Sequence, residues 1–253
     1  MIDFQKISKT LSGKKVLDEV SGKFKQGKVN LVIGASGTGK SVLIKCIVGL
    51  MRPEQGTVSF NGKVVFDLPK HKHVNLRKEI GMLFQGGALF DSKTVEENVM
   101  FPLDVLDYMP REAKRDRVNF CLRRVGLPNV GKKMPSELSG GMQKRVGVAR
   151  AIVNKSKYLF CDEPTSGLDA RTGLLIDELI QELTYEYGIT TIVVTHDMNS
   201  IVSMGDHILF LEQGKKAWEG TSSNIFHVDV AALNDFLFAS KLMRMAKTRT
   251  EAN

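Results

Sequence analysis

The sequence predicts an α/β fold built on a parallel sheet, and three observations carry that prediction. Short apolar runs at residues 29–33, 80–84, 157–161, 190–195 and 207–211 have the length and composition of buried strands. Helical runs separate them, chiefly residues 41–50 and 170–187, and strands alternating with helices are the pattern of a parallel sheet. A glycine-rich segment, Gly34-Ala35-Ser36-Gly37-Thr38-Gly39-Lys40-Ser41, joins the first of these strands directly to a helix.

The elements follow in order. Residues 2–7 alternate apolar and polar, Ser12-Gly13 turns the chain, and residues 16–24 extend again, which reads as antiparallel β structure ahead of the core. Residues 57–60 form a further strand before the turn Asn61-Gly62. The stretch 90–154 is different. It is mostly helical, at 94–100, 111–125 and 140–153, with Pro102, Pro110, Pro128 and Pro135 marking breaks, and it reads as an inserted helical subdomain. His71 and His73 lie in a charged, solvated segment, and Trp218 packs on a hairpin.

Composition narrows the function classes. At 253 residues, with 42% hydrophobic and 25% charged, the chain can bury a substantial core. Its net charge is +8, spread along the chain, and no basic stripe is interleaved with aromatics, so no nucleic-acid partner is expected. No apolar run approaches the eighteen residues a membrane span needs, and the first residues do not form a signal peptide. Cys46, Cys121 and Cys161 are far apart, lack metal-site spacing, and read as buried thiols in a reducing compartment.

The segment Gly34 to Ser41 fits the phosphate-loop pattern in its proper strand–loop–helix setting. Its glycines let backbone N–H groups crowd round phosphates, the helix start adds a positive dipole end, Lys40 can reach the β and γ phosphates, and Ser41 can ligate Mg2+. Tyr158-Leu159-Phe160-Cys161 runs into Asp162 and Glu163. Asp162 is the hard oxygen ligand Mg2+ wants, and Glu163 can hold the attacking water. Leu138-Ser139-Gly140-Gly141-Met142 precedes a helix and offers N–H groups to an anion. His196 and Gln85 each end an apolar run.

The ordered set GASGTGKS, Gln85, LSGGM, LFCDEPTSGLD and Thr195-His196-Asp197 is similar to one superfamily, the ABC ATPases, over roughly residues 2–220. The resemblance implies an ABC ATPase fold: a RecA-like core, an N-terminal antiparallel β subdomain and an inserted helical subdomain at about 90–154. A C-terminal helical extension with a basic tail would fill residues 221–253. It implies ATP and Mg2+ as cofactors. Gly34 through Ser41 would bind the phosphates, and Ser41, Gln85 and Asp162 the magnesium. Glu163 would be the general base and His196 the switch histidine. Ser139, Gly140 and Gly141 would cap ATP on a second copy of the chain, and Ser166-Gly167-Leu168-Asp169 would lie at the dimer interface. The family's adenine-stacking aromatic falls at Leu11 here, and its signature glutamine at Met142.

Residues 83–92, Val95-x-x-Asn98-Val99, Phe101-Pro102-Leu103 and 133–146 resemble the ATPase of Mla/Mce-type phospholipid transporters. That resemblance implies multi-span permease partners, an Mce-type lipid-binding subunit, and a peripheral position on the cytoplasmic face of the inner membrane. The alternatives are another ABC importer or exporter, or a permease-free ABC ATPase such as one serving iron–sulfur cluster assembly. Toward the C-terminus, Ile225-Phe226, Val230, Leu233, Phe236-Leu237 and Leu242-Met243 recur at roughly helical spacing. The stripe either packs on its own domain or carries Lys241, Arg244, Lys247 and Arg249 toward a partner.

Overall fold

The computed structural model describes residues 1–239. Strands β1 (Ile2–Leu11) and β2 (Lys14–Phe24) pair antiparallel across the Ser12-Gly13 turn. Strand β3 (Val29–Ile33) leads into helix α1 (Lys40–Ile47). Strands β4 (Gln55–Phe60) and β5 (Lys63–Val64) turn back at Asn61-Gly62, and helix α2 (Lys70–Glu79) enters β6 (Ile80–Leu83). Helices α3 (Val95–Leu106), α4 (Arg111–Arg124) and α5 (Gly140–Ile152) follow. Then come β7 (Tyr158–Asp162), α6 (Ala170–Tyr187), β8 (Thr190–Val194), α7 (Met198–Met204), β9 (His207–Glu212), β10 (Lys215–Gly220) and α8 (Ala231–Leu237).

The strands make two sheets. One, ordered β2-β1-β4-β5, is antiparallel. The other is ordered β10-β9-β3-β8-β7-β6, parallel except for the β10 edge. Every residue of β3 and β8 is buried, which is why these strands read as unbroken apolar runs: helices or the first sheet cover both faces. One core cluster, with Phe4, Phe24, Phe60 and Phe160, lies between the two sheets. The other gathers α3, α4, α5 and α6 with the opposite face of the large sheet.

Two buried polar groups organise the frame. Asn30 on β3 donates to the carbonyls of Lys25, Lys28 and Thr191 and accepts from Lys25 N, so it ties the β2–β3 turn to β8. Asn98 on α3 donates to the carbonyls of Phe90, Lys93 and Thr94 and accepts from Phe90 N, which moors the loop after β6. Helix α3 begins with a Thr94–Glu97 capping box and continues through Pro102 to Leu106, past the expected end at Met100.

Two helices, α2 and α7, were not expected from the sequence, and the C-terminal stripe takes the first of its two expected courses. The segment around His71 and His73 is helix α2, whose charges gave no apolar stripe to recognise. Helix α7 is only seven residues long. The apolar stripe near the C-terminus packs on its own domain as far as it is described: Ile225, Leu233 and Leu237 are buried, and Phe236 stands 5.6 Å from Phe210. Its continuation at Leu242-Met243 and the basic residues Lys241 to Arg249 lie outside the described residues. Trp218 does pack on a hairpin, β9–β10, against the main core. All three cysteines are buried and free, and burial pushes the Cys46 and Cys121 thiols up to about 11.

Candidate active site

Strands β3, β8, β7 and β6 lie side by side, and all four end toward one edge of the sheet. In an open parallel sheet that edge is where ligands bind. The chain leaves β3 at Gly34, β8 just before His196, β7 at Asp162-Glu163 and β6 just before Gln85. Topology therefore gathers residues spread over more than a hundred positions.

The phosphate loop is shaped by its neighbours. Gly34 has φ +145°, and a side chain there would meet the Leu211 carbonyl of β9 at 2.3 Å, so only glycine fits. Lys40 is buried and its ammonium donates to the carbonyls of Gly34 and Ala35, both at 2.8 Å. Burial lowers its pKa, while Glu163 and Asp162 oppose that fall. Helix α1 has no side-chain cap at Gly39, which leaves its first N–H groups for an anion. Ser41 Oγ lies 3.3 Å from Asp162 Oδ1. A hydroxyl beside a carboxylate is a hard-oxygen pair that fits Mg2+. Burial raises the Asp162 pKa and Ser41 counters it.

Glu163 adopts φ +51° at the end of β7 while its N–H still donates to Val194 O at 2.9 Å. The left-handed turn lets the strand stay paired while the side chain crosses toward β8. There one carboxylate oxygen meets His196 Nδ1 at 2.7 Å. Such a pair, with a mostly buried acid and an exposed imidazole, can hold and orient a water. Behind it, the buried Lys144 of α5 donates to the Glu163 carbonyl at 3.4 Å. Burial lowers the Lys144 pKa.

Ser139 and Gly140 are exposed at the start of α5, and the Ser139 hydroxyl caps its own helix at Met142 N. Gly141 is buried; a side chain there would meet the Thr172 methyl at 2.5 Å, so glycine allows α5 to close on the start of α6. Asp169 caps α6 through Thr172. Gln85 is exposed. Leu11 is half-buried opposite Lys14 at the end of β1, and the hairpin's approach to Gly39 runs instead through Val16 and Leu17. A cavity of about 570 Å3 opens beside Ala35, Ser36 and His196, with Asp235 and Phe236 of α8 on its far wall.

Sequence reasoning missed two buried cations, Lys144 and Arg150. The Arg150 guanidinium donates to the carbonyls of Gly87 (2.7 Å) and Ala88 (2.8 Å), so α5 grips the loop that follows Gln85. Cations inside an otherwise apolar, glycine-rich helix were the available signal.

A phosphate loop, strand-end carboxylates and a histidine on adjoining parallel strands define a nucleotide-hydrolysing α/β protein. Residues 17–166 match the family described as ABC transporter. The chain belongs to that family and is an ATP-hydrolysing ABC cassette. It is 42% identical over 229 residues to a methionine import ATP-binding protein of Carboxydothermus hydrogenoformans, covering 89% of this chain and 68% of that one. A protein of the same description from Caulobacter vibrioides is 42% identical over 228 residues, with 89% and 68% covered. The chain thus spans about two thirds of their length. The dimeric structure of a bacterial ABC transporter cassette is similar at TM-score 0.80 and 33% identity, covering 88% of this chain and 99% of that one. A Clostridium perfringens cassette, part of an ABC transporter complex, reaches 0.83 at 28% identity, with 97% and 98% covered. These relatives are named for methionine import and not for the Mla/Mce-type lipid transport that the sequence resemblance suggested.

Proposed function

We propose that this ATPase powers a membrane importer as a pair of identical copies, each ATP held between the phosphate loop of one copy and Ser139–Gly141 of the other. The carrying observation is the exposure of Ser139 and Gly140 at the start of α5. The likeness to a dimeric cassette supports the pairing. Within the pair, Gly34 through Ser41 bind the phosphates, and Ser41, Asp162 and Gln85 would hold Mg2+, which would offset phosphate charge. Glu163 accepts the proton of the attacking water, and His196 keeps the Glu163 carboxylate and that water in line. Residues 1–220 form the ATPase unit, and 221–253 an extension.

Permease subunits would dock beside Gln85. A groove of about 400 Å3 is lined there by Phe84, Phe90, Phe101, Pro102 and Leu106. Phe84, Phe90 and Phe101 are exposed, and such aromatic patches favour partners. Leu89 packs partly against the core, so the aromatic side chains offer the cleaner contact. The groove is bounded by the loop that Arg150 grips, so movement at Gln85 reaches the groove and α5 together. Among the described residues no helix is long and apolar enough to cross a membrane, which suits a peripheral subunit on the cytoplasmic face.

The relatives' names support import of a small solute such as methionine. A second reading, lipid transport with an Mce-type subunit, rests on the resemblance of residues 83–103 and 133–146 to Mla/Mce ATPases. Co-purification from the native membrane tests both. A permease retained by the wild-type chain and lost by Phe101→Asp supports the docking surface; an Mce-type protein in the same complex selects the lipid reading. Isolation of the chain without any permease would sink the transporter assignment. Glu163→Gln is expected to bind ATP, trap a dimer and fail to turn over; normal hydrolysis removes Glu163 from the base role.

A further inference from the structure

We propose that Asp177 is a positioning residue of the hydrolytic site, holding the first turn of α7 through Ser200 and so setting where His196 stands against Glu163. The proposal rests on Glu163 and His196 being the hydrolytic pair.

Asp177 lies within α6 at 2% exposure, and its Oδ2 accepts a 2.6 Å hydrogen bond from the fully buried Ser200 hydroxyl. Among the described residues its Oδ1 has no hydrogen-bond partner. A half-satisfied carboxyl is a costly way to join two helices that already pack together. Adhesion does not require it: Ile176 and Ile180 of α6 and Ile201 and Met204 of α7 are all buried in one cluster. What the bond adds is direction, because a short charge-capable contact fixes the turn of a seven-residue helix.

That turn controls His196. On one side of the histidine, Thr195 is buried and its N–H reaches Val32 O on β3. On the other, Asp197 caps α7 by accepting from Asn199 N, and its own N–H donates to Thr195 Oγ1. His196 therefore hangs between a strand end and the first turn of α7. The strand end is fixed by the sheet; the turn is fixed by Asp177. Helix α6 is capped by Asp169, just after the loop that leaves Glu163, so one helix reaches both members of the pair.

The charges around Asp177 do not compensate it. Asp197 at the α7 cap opposes its ionisation, and Cys161 on β7 is a buried thiol. Lys144 of α5 gives its ammonium to the Glu163 carbonyl instead. Burial pushes the Asp177 carboxyl up from 3.8 to about 6. A carboxylate grips Ser200 more strongly than a neutral acid does, so the hold on α7 loosens as pH falls through that value.

The test compares the full-length wild type with Ser200→Ala, Ser200→Thr, Asp177→Asn and Glu163→Gln. ATPase rates are followed between about pH 5.5 and 8.5, nucleotide affinity with a fluorescent ATP analogue, and the His196 imidazole by NMR. Ser200→Ala is expected to lower kcat about tenfold with KM for ATP within about twofold, and to move the His196 imidazole resonances. Ser200→Thr keeps the hydroxyl and restores both. Asp177→Asn still accepts from Ser200 and remains folded, but its kcat loses the fall below about pH 6 and stays at the level of the wild type's acid limb. Wild-type kcat and an unmoved His196 in both Ser200→Ala and Asp177→Asn, beside an inactive Glu163→Gln, overturn the proposal. Wild-type turnover by Glu163→Gln overturns the hydrolytic reading itself, and the proposal with it.

Discussion

Asp177→Asn offers a stability measurement whose size follows from the structure. The carboxyl is 2% exposed, has Ser200 as its single donor among the described residues, and is raised from 3.8 to about 6 by burial. At about 1.4 kcal/mol per tenfold change in acidity, keeping it ionised in the folded chain costs about 3 kcal/mol. The sign follows from proton binding. Between 3.8 and about 6 the folded state holds the proton more tightly than the unfolded one, so stability falls as pH rises and then levels off. About half of that loss, about 1.4 kcal/mol, falls between about pH 5 and pH 7.5. Asparagine cannot ionise and has no such slope. Groups remote from residue 177 titrate alike in both proteins, so the difference between their pH curves reports residue 177 together with Asp197, which opposes its ionisation. Urea unfolding of wild type and Asp177→Asn across that range, followed by circular dichroism, gives the comparison. Parallel curves would show that the carboxyl is not held at a cost, and the reasoning from its burial would fail. A cost of that size retained at neutral pH is what a site shaped for activity rather than stability would show.

Arg150→Ala leaves the Gly87 and Ala88 carbonyls unpaired beside a void, and is expected to cost about 2–4 kcal/mol in unfolding assays and to lower permease-stimulated hydrolysis more than basal hydrolysis. Gly141→Ala puts a methyl 2.5 Å from the Thr172 methyl; the forced separation of α5 from α6 should cost about 1–3 kcal/mol, and an unchanged melting curve would show that the two helices part freely. Ser139→Arg should bind ATP as a monomer yet not hydrolyse it, and full activity would refute the shared site. Deleting residues 241–253 should leave melting unchanged, because the apolar stripe is already buried through Leu237. Weaker dimerisation of that truncation, read by sedimentation, would give the tail a role in the pair.

Much of the fold was legible in local pattern. Helix α6 was bounded at both ends by sequence alone, because Asp169 caps its start and Gly188, at φ +62°, takes the left-handed stop. The phosphate loop was legible for a similar reason: its chemistry is backbone chemistry, written in contiguous glycines between a buried strand and a helix. Helix α2 escaped because its stripe is charged all round, and α7 because seven residues hold too few turns to show a period.

The nearness of residues far apart in the chain was another matter. That Ser41 stands 3.3 Å from Asp162, or His196 2.7 Å from Glu163, depends on the strand order β3-β8-β7-β6, which no local pattern states. The left-handed backbone of Glu163 and the burial of Lys144, Arg150 and Asp177 were hidden for the same reason. A charged residue in a helix reads as solvated until its neighbours are known, since desolvation and pairing belong to the packed environment. Sequence determined which residues could do phosphate chemistry. Tertiary structure decided which of them share an environment, because burial and distance arise only when the sheet and its helices close round one edge.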